Sequence, residues 1–305
     1  MVELSISFYS VKMSPMQMEK LCNILTKKDW EKYGVPYAIY AFRGEGVSVV
    51  AYRTGTVVVQ GAKTMEFVQF TIEPEVLEKI THSYEEERHP EWFVEHGGLD
   101  ESGKGDLFGP LVSACVIAHG DTVKKWLHRG VKDSKDIHSP GNIFALEKDI
   151  CQSPEAVVEV FKVSMRKYNE LYGKFGNNLN HLLAWYHAKS LQNARARNLV
   201  RHVVLDQFSR TPLVQKFFSK DDTVSITMRP RAEEDPVVAA ASIVARAEYL
   251  RSMKELSKNA GEELLRGANS QVLEQAKRLI KRLGVDRLAE FAKLHFSTAQ
   301  KAIYD

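Results

Sequence analysis

Gly97-Gly98-Leu99-Asp100-Glu101-Ser102-Gly103-Lys104-Gly105-Asp106-Leu107-Phe108-Gly109-Pro110 runs directly into the apolar stretch Leu111 to Ala118. Two carboxylates side by side repel each other, and in a low-dielectric cleft one of them is driven to protonate unless positive charge sits nearby. A divalent cation with oxygen ligands is the simplest remedy. The glycines at 103 and 105 are expected to turn the backbone through positive φ and to let a ligand approach the main chain closely. Taken singly, an Asp-Glu pair is a solvated feature or a helix cap, and Gly-Lys-Gly is a turn. Their conjunction ahead of a buried-looking strand points to a site.

A phosphate-binding loop is the nearest competitor, because Gly98 to Lys104 matches G-x-x-x-x-G-K. That loop needs Ser or Thr next, to hold Mg²⁺, and a helix opening at that point. Here Gly105 follows, Phe108-Gly109-Pro110 leads into a β-like run, and two carboxylates inside the loop would repel phosphate. The competitor fails on all three.

The chain has 305 residues, enough for one large domain or two with a buried core. Hydrophobic residues make up 44% and charged residues 27%, as in an ordinary soluble protein, and a net charge of +3 permits nucleic acid without demanding it. No apolar run approaches the ~20 residues of a membrane span, and the start lacks the regions of a signal peptide. Cys22, Cys115 and Cys151 are odd in number and far apart, so neither a disulfide framework nor a zinc site is indicated. A reducing cytoplasm is the expected compartment.

Working outward, Glu3 to Tyr9 reads as a strand, and Ser14-Pro15 opens a helix carrying Met18, Leu21, Cys22 and Leu25. Strands follow at Tyr37–Phe42, Val47–Tyr52 and Thr56–Gln60, divided by glycine-bearing hairpin signals, and a helix is predicted over Pro74 to His82. Residues 1–80 thus form a small α+β unit, residues 81–95 a linker, and residues 96–305 a second unit. In that unit Leu111–Ala118 and Val157–Ser164 read as strands, and Tyr168 to Val200 as one long helical region. His202-Val203-Val204-Leu205-Asp206 is a short β-branched run ending in a carboxylate, and Val224–Met228 is another strand. Ligands gather at the carboxyl ends of strands in sheets covered by helices, which sets Asp206 beside Asp100 as a candidate. The small apolar run Val237 to Arg246 reads as a helix packed tightly on the sheet, with Pro236 in its first turn. The tail from Gly261 reads as helical with a solvated basic face.

Carboxylates at two strand ends, with an acidic cluster at Glu233-Glu234-Asp235, suit Mg²⁺ or Mn²⁺ and phosphate-ester chemistry. Spacing alone leaves a nuclease, a phosphatase or another Mg²⁺ hydrolase open, and beside them a non-catalytic nucleic-acid-binding protein.

Resemblance narrows the choice. Gly98 to Pro110 resembles the opening signature of type 2 ribonucleases H, and its Ser102-Gly103-Lys104-Gly105 form is similar to that of the ribonuclease HIII branch. The likeness continues in Val131-Lys132-Asp133-Ser134-Lys135, Leu205-Asp206-Gln207-Phe208, Val238 to Arg246 and Ala292-Lys293-Leu294-His295-Phe296. Val50 to Gly61 is similar to the N-terminal domain of ribonuclease HIII, so the resemblance covers nearly the whole chain. It implies a ribonuclease H-like mixed sheet flanked by helices, an α/β arrangement, preceded by a small α+β domain of the TATA-binding-protein type that binds substrate.

The implied activity is an endonuclease that hydrolyses the RNA strand of RNA–DNA hybrids with Mg²⁺ or Mn²⁺, leaving 3′-hydroxyl and 5′-phosphate ends. A monomer serving DNA replication and repair is implied, with a preference for runs of ribonucleotides over single junctions. Position by position, Asp100, Glu101 and Asp206 match the family's metal-binding carboxylates. Arg231-Ala232-Glu233 resembles the family's K-A-E or K-A-D and favours Glu233 as the fourth. The gap to Val238 is one residue shorter than in the family, which leaves Glu234 and Asp235 open. Ser102, Gly103, Lys104 and Gly105 match the segment that reads the 2′-hydroxyl, a donor and acceptor that DNA lacks. Asp133-Ser134-Lys135 is either a loop near the substrate or a capping turn. His295 is expected to pack rather than act as a base.

Overall fold

A computed structural model describes residues 8–77, 84–220 and 222–304. Its contacts divide the chain into two compact units, residues 1–91 and 92–305. The first contains β1 (Phe8–Lys12), α1 (Pro15–Lys27), β2 (Glu31–Lys32), β3 (Ala38–Gly44), β4 (Val47–Tyr52), β5 (Thr56–Gly61), α2 (Thr64–Phe67) and α3 (Tyr84–Arg88). The strands form an antiparallel sheet in the order β1-β5-β4-β3-β2. Alternation does the sorting, as a strand's period of two requires. Val47, Val49 and Ala51 of β4 and Val57 and Val59 of β5 meet Leu21 and Leu25 of α1 in one core. Ser14 and Gln17 close a capping box that starts α1, with Pro15 in the first turn.

Two expectations change here. Of the strand predicted over Glu3 to Tyr9, only Phe8 and Tyr9 fall among the described residues, and they belong to a strand running on to Lys12. The helix predicted over Pro74 to His82 is already under way at Thr64. It continues as wider, π-type turns over Val68–Leu77 with Pro74 inside, and residues 78–82 lie outside the described residues. Its true signal was Val68, Ile72 and Val76, four apart and buried in the same core. The linker expected over residues 81–95, partly helical, contains in its described part α3 and a single turn, Pro90–Phe93, that buries Trp92.

The second unit runs β6 (His96–Ser102), β7 (Val112–Ala118), α4 (Gly120–His128), α5 (Pro140–Cys151), β8 (Val157–Lys162), α6 (Met165–Lys174), α7 (Leu179–Arg195), β9 (His202–Asp206), β10 (Ser225–Arg229) and α8 (Pro236–Ala260). It closes with α9 (Ser270–Leu283), α10 (Val285–Leu288) and α11 (Ser297–Tyr304). The sheet order is β10-β9-β6-β7-β8; β6, β9 and β10 are parallel, and β7 is antiparallel to both neighbours. The single helical region predicted from Tyr168 to Val200 is two helices. Gly176 and Asn177 take φ of 69° and 56°, and the Asn178 side chain then caps α7. The tail is not helical from Gly261 either: that glycine ends α8 at φ 73°, and helix resumes only at Ser270.

Helices cover both faces of the sheet. Val112, Ala114 and Val116 of β7 pack with α8, whereas Cys115 and Ile117 pack with Ala184, Ala188 and Leu191 of α7. The helix α8 lies unusually close. A Cβ on Gly98 would meet the Val237 main chain at 2.4 Å, so small residues on both elements are what allow the contact. Among the described residues no helix is long and apolar enough to cross a membrane.

The C-terminal segment holds the turn that follows β6. Phe108 bridges to Ala292, the Lys293 amide donates to the Leu107 carbonyl, and the buried Lys293 ammonium donates to the Asp106 carbonyl at 2.8 Å and to that of Gly109. Burial pushes the Lys293 pKa down to about 7, and nearby Asp106 opposes this only in part. A folded-state pKa below the unfolded one means that the unfolded chain binds more protons between the two values. Stability attributable to Lys293 therefore rises from about pH 7 towards the ordinary lysine value and is lost as pH falls back. In urea unfolding at pH 7 and pH 9.5, the wild type should gain about 1–3 kcal/mol relative to Lys293→Met. A stability difference that does not change with pH would show that the ammonium is comfortable where it sits.

Candidate active site

The site is assembled by the pleat. Gly98 faces α8, so Asp100, two residues on, shares that face; Leu99 packs with α7, so Glu101 points to the opposite side. On β9, Val204 packs against Ala232 and Val238, which places Asp206 on the α8 face as well. The parallel register pairs Gly98 with Val204 and Leu99 with Leu205. One step further brings Asp100 and Asp206 abreast at the carboxyl ends of neighbouring strands. Asp100, Glu101, Ser102, Gly103, Lys104, Lys135 and Asp206 line one open cleft of about 710 Å³.

The adjacent carboxylates are electrostatically unlike. Burial pushes the Asp100 pKa well up and Glu101 adds to the rise, although the Glu101 amide donates to Asp100 Oδ1 at 2.8 Å. Burial would raise Glu101 too, but His187, with its Nε2 3.2 Å from Oε2, and Lys104, with its Nζ 3.3 Å from Oε1, outweigh it and hold the group at about 2. The pair thus divides as like charges at close range require, one oxygen-rich group reluctant to ionise and the other firmly ionised.

The carboxylates of the third acidic segment differ in what each side chain touches. Asp235 is buried and committed to structure: Oδ1 accepts from the Val237 amide as the N-cap of α8 and from His96 Nε2 at 3.0 Å, and Arg229 lies 3.5 Å from Oδ2. Glu234 is exposed, with Arg231 3.8 Å away. Glu233 keeps Oε2 buried with no hydrogen-bond partner. Its carboxylate also acts on the cleft. Partial burial works against the Lys135 ammonium, yet Asp133, Asp100, Glu233 and Asp206 together hold its pKa above the ordinary lysine value. Four carboxylates from distant parts of the chain therefore bear on one cation. Among the described residues no three His, Cys, Asp or Glu side chains form a finished metal-ligand group. The donors nevertheless fit a hard cation, since they are oxygens, one of them buried and unpartnered, in a spot already attractive to positive charge.

The two glycines of Gly103-Lys104-Gly105 differ. Gly103 takes φ 83°, and a Cβ there would strike the Pro110 carbonyl and the Tyr249 ring. Gly105, contrary to expectation, is not in the positive-φ region, and a Cβ there would meet nothing within 4 Å. Gly103 is demanded by the fold, while Gly105 leaves space on an exposed turn.

Asp133-Ser134-Lys135 forms the capping turn, one of its two readings, and borders the cleft. Asp133 caps the turn by accepting from the Lys135 amide, and Ser134 and Lys135 line the cleft. The loop is pinned to α8, where Ser242 Oγ accepts from the Ser134 amide at 3.0 Å and Arg246 donates to the Ser134 carbonyl. His295 lies outside the cleft lining. It stacks on Tyr172 with centroids 4.0 Å apart and bonds to Tyr168 Oη through Nε2. Sequence reasoning missed Arg246, Tyr249 and Arg266, which complete the cleft wall, and it missed His187. The last had a signal: a histidine and a serine three residues apart on the otherwise apolar face of α7.

A family model described as Ribonuclease HII matches residues 97–299, and one described as a domain of unknown function matches residues 10–84. Ribonuclease HIII of Protochlamydia amoebophila is 34% identical over 286 residues, 92% of this chain and 91% of that protein. Ribonuclease HIII of Chlamydia trachomatis serovar L2 is 35% identical over 301 residues, 97% of each chain. Among solved structures, Bst-RNase HIII in complex with Mn²⁺ superposes with a TM-score of 0.64 at 26% identity, over 97% of this chain and 98% of that one.

Proposed function

This chain belongs to the ribonuclease HIII family, endoribonucleases of the ribonuclease H type, and on that premise we propose that it cuts the RNA strand of RNA–DNA hybrids by hydrolysis at a divalent-metal site held by Asp100, Glu101, Asp206 and Glu233. The observation that carries the reading is the β6–β9 register, which sets Asp100 and Asp206 abreast on one cleft lined also by Glu101 and Lys135, with the charge of Glu233 acting on that lysine as well. The solved relative that holds Mn²⁺ supports the choice of ion class, with Mg²⁺ equally suited to oxygen donors.

A bound ion or pair of ions would supply an activated water and charge stabilisation at the leaving oxygen. The rest is the work of side chains and main chain. Asp100 and Asp206, abreast on one face, would hold such an ion through their carboxylate oxygens. Lys104 can leave Glu101 for a phosphate oxygen, as a flexible point charge does. The main chain of Ser102 to Gly105 presents amides and carbonyls at close range, which lets it test for a 2′-hydroxyl. Attack of water on phosphorus, with the P–O3′ bond breaking and a proton ending on the departing O3′, would leave a 3′-hydroxyl and a 5′-phosphate.

The unit comprising residues 1–80 serves as the substrate-binding domain in this scheme. The face of its sheet opposite the core carries Phe8, Ser10 and Lys12 from β1, Ser48 and Tyr52 from β4, and Arg43, whose guanidinium lies 4.8 Å from the Tyr33 ring. Such a face offers polar and aromatic contacts with modest charge, suited to duplex shape rather than to base sequence.

With a labelled hybrid in Mg²⁺ or Mn²⁺, Asp100→Asn and Asp206→Asn should each lower kcat by at least about 10²-fold while hybrid binding in EDTA stays within about threefold. Undiminished cleavage by either variant would remove it from the metal site. Glu233→Gln should fall comparably, whereas Glu234→Gln should stay within about twofold of wild type; the reverse ranking would reassign the fourth ligand. Replacing Lys12 and Arg43 together by alanine should raise KM for the hybrid about 3–10-fold with kcat nearly unchanged. An unaltered KM would argue against a binding role for this sheet.

A further inference from the structure

We infer that His187 is a positioning residue for Glu101, itself oriented by the buried serines Ser113 and Ser190; this rests on the reading of Glu101 as a metal ligand. Glu101 and Ser113 are cross-strand partners in the β6–β7 register, so both project towards α7. His187 and Ser190, three residues apart and hence on one side of that helix, lie over them. The imidazole Nε2 sits 3.2 Å from Glu101 Oε2 and Nδ1 sits 3.0 Å from Ser113 Oγ. Ser190 Oγ is 3.0 Å from Ser113 Oγ and 3.1 Å from the His187 carbonyl.

A carboxylate only accepts, so Nε2 must carry a hydrogen. In the neutral ring Nδ1 then accepts from the Ser113 hydroxyl, whose oxygen shares the single Ser190 hydrogen with the His187 carbonyl. The donors run in one direction along this buried file, and it ends on Glu101.

Burial separates the two partners of Glu101. The Lys104 side chain is 37% exposed and free to swing towards a ligand, whereas His187 is 0% exposed. Phe208, two residues beyond Asp206, covers both: its ring lies 5.6 Å from the imidazole and 5.8 Å from the Lys104 ammonium. Oε2 is thus anchored from within the core while Oε1 is held by a removable cation. Partners behind a metal-binding carboxylate fix its direction, and their loss costs affinity or rate without touching substrate.

The test compares His187→Leu, which fills the space without a donor, with His187→Gln, whose amide can donate from nearly the same point. Mn²⁺ binding is measured by calorimetry without substrate, and kcat and KM are measured on an RNA–DNA hybrid. For His187→Leu, Mn²⁺ affinity and kcat should fall about 10–100-fold with KM within about twofold, and His187→Gln should recover to within about fivefold of wild type. Equal losses in both variants, or wild-type values in His187→Leu, would overturn the inference. Should His187→Leu fail to fold, Ser113→Ala decides: a loss of Mn²⁺ affinity of about 3–10-fold supports the file, and unchanged affinity refutes it. A wild-type protein that binds no Mn²⁺ would instead refute the metal-site reading itself, so the two failures are distinguishable.

Discussion

Like charges on consecutive residues at the end of a central strand are the constraint from which the rest follows. Coulomb repulsion at that range in a partly desolvated cleft is too large to leave unanswered. The pleat supplies the first answer by sending Asp100 to the α8 side and Glu101 to the α7 side. The two are then treated differently. Glu101 receives a buried imidazole and a lysine and stays ionised, while Asp100 stands abreast of Asp206, and both act with Glu233 on Lys135. Carboxylates gathered on one face, held in register by two parallel strands, are what a hard cation would complete.

That register depends on close packing. The Val237 main chain approaches Gly98 so tightly that the helix and the strand act as one block. Asp235 caps that helix, binds His96 at the start of β6 and pairs with Arg229 at the end of β10. A single carboxylate thereby ties together three elements, two residues along the chain from Glu233. Arg231 adopts φ 54°, a left-handed turn that costs a non-glycine residue about 1–2 kcal/mol. The turn reverses the chain between β10 and α8, in time for Glu233 to project back.

Much of this was legible because its signals are local. Asp100, Glu101 and Asp206 end short apolar strands, and Pro236 with the alanine run announces a helix lying flat on a sheet. Other features were hidden for physical reasons. Choosing among Glu233, Glu234 and Asp235 requires knowing which carboxylate is consumed as a cap, and that depends on His96, far away in sequence. His187 gains meaning only from the register between β6 and β7, since nothing in the helix sequence says that Ser113 lies beneath it opposite Glu101. The break at Gly176-Asn177 was readable, since glycine and asparagine in succession suit the left-handed turn that ends one helix and Asn178 suits the cap of the next.

The glycines of the turn after β6 separate what the fold needs from what it leaves free. Gly103 has no alternative, because positive φ and the Pro110 carbonyl both exclude a side chain. The same turn is clamped from outside by the Lys293 ammonium and by Gly267, whose amide donates to Asp106 Oδ1 and whose carbonyl accepts from Leu107. Gly105 is under no such pressure, since its φ is ordinary and a methyl group there would touch nothing in the protein. A residue without a side chain, on a turn held rigid at every other point, has its simplest reason outside the chain. An incoming ribose could come against the main chain there, where any Cβ would stand between the amides and the 2′-hydroxyl.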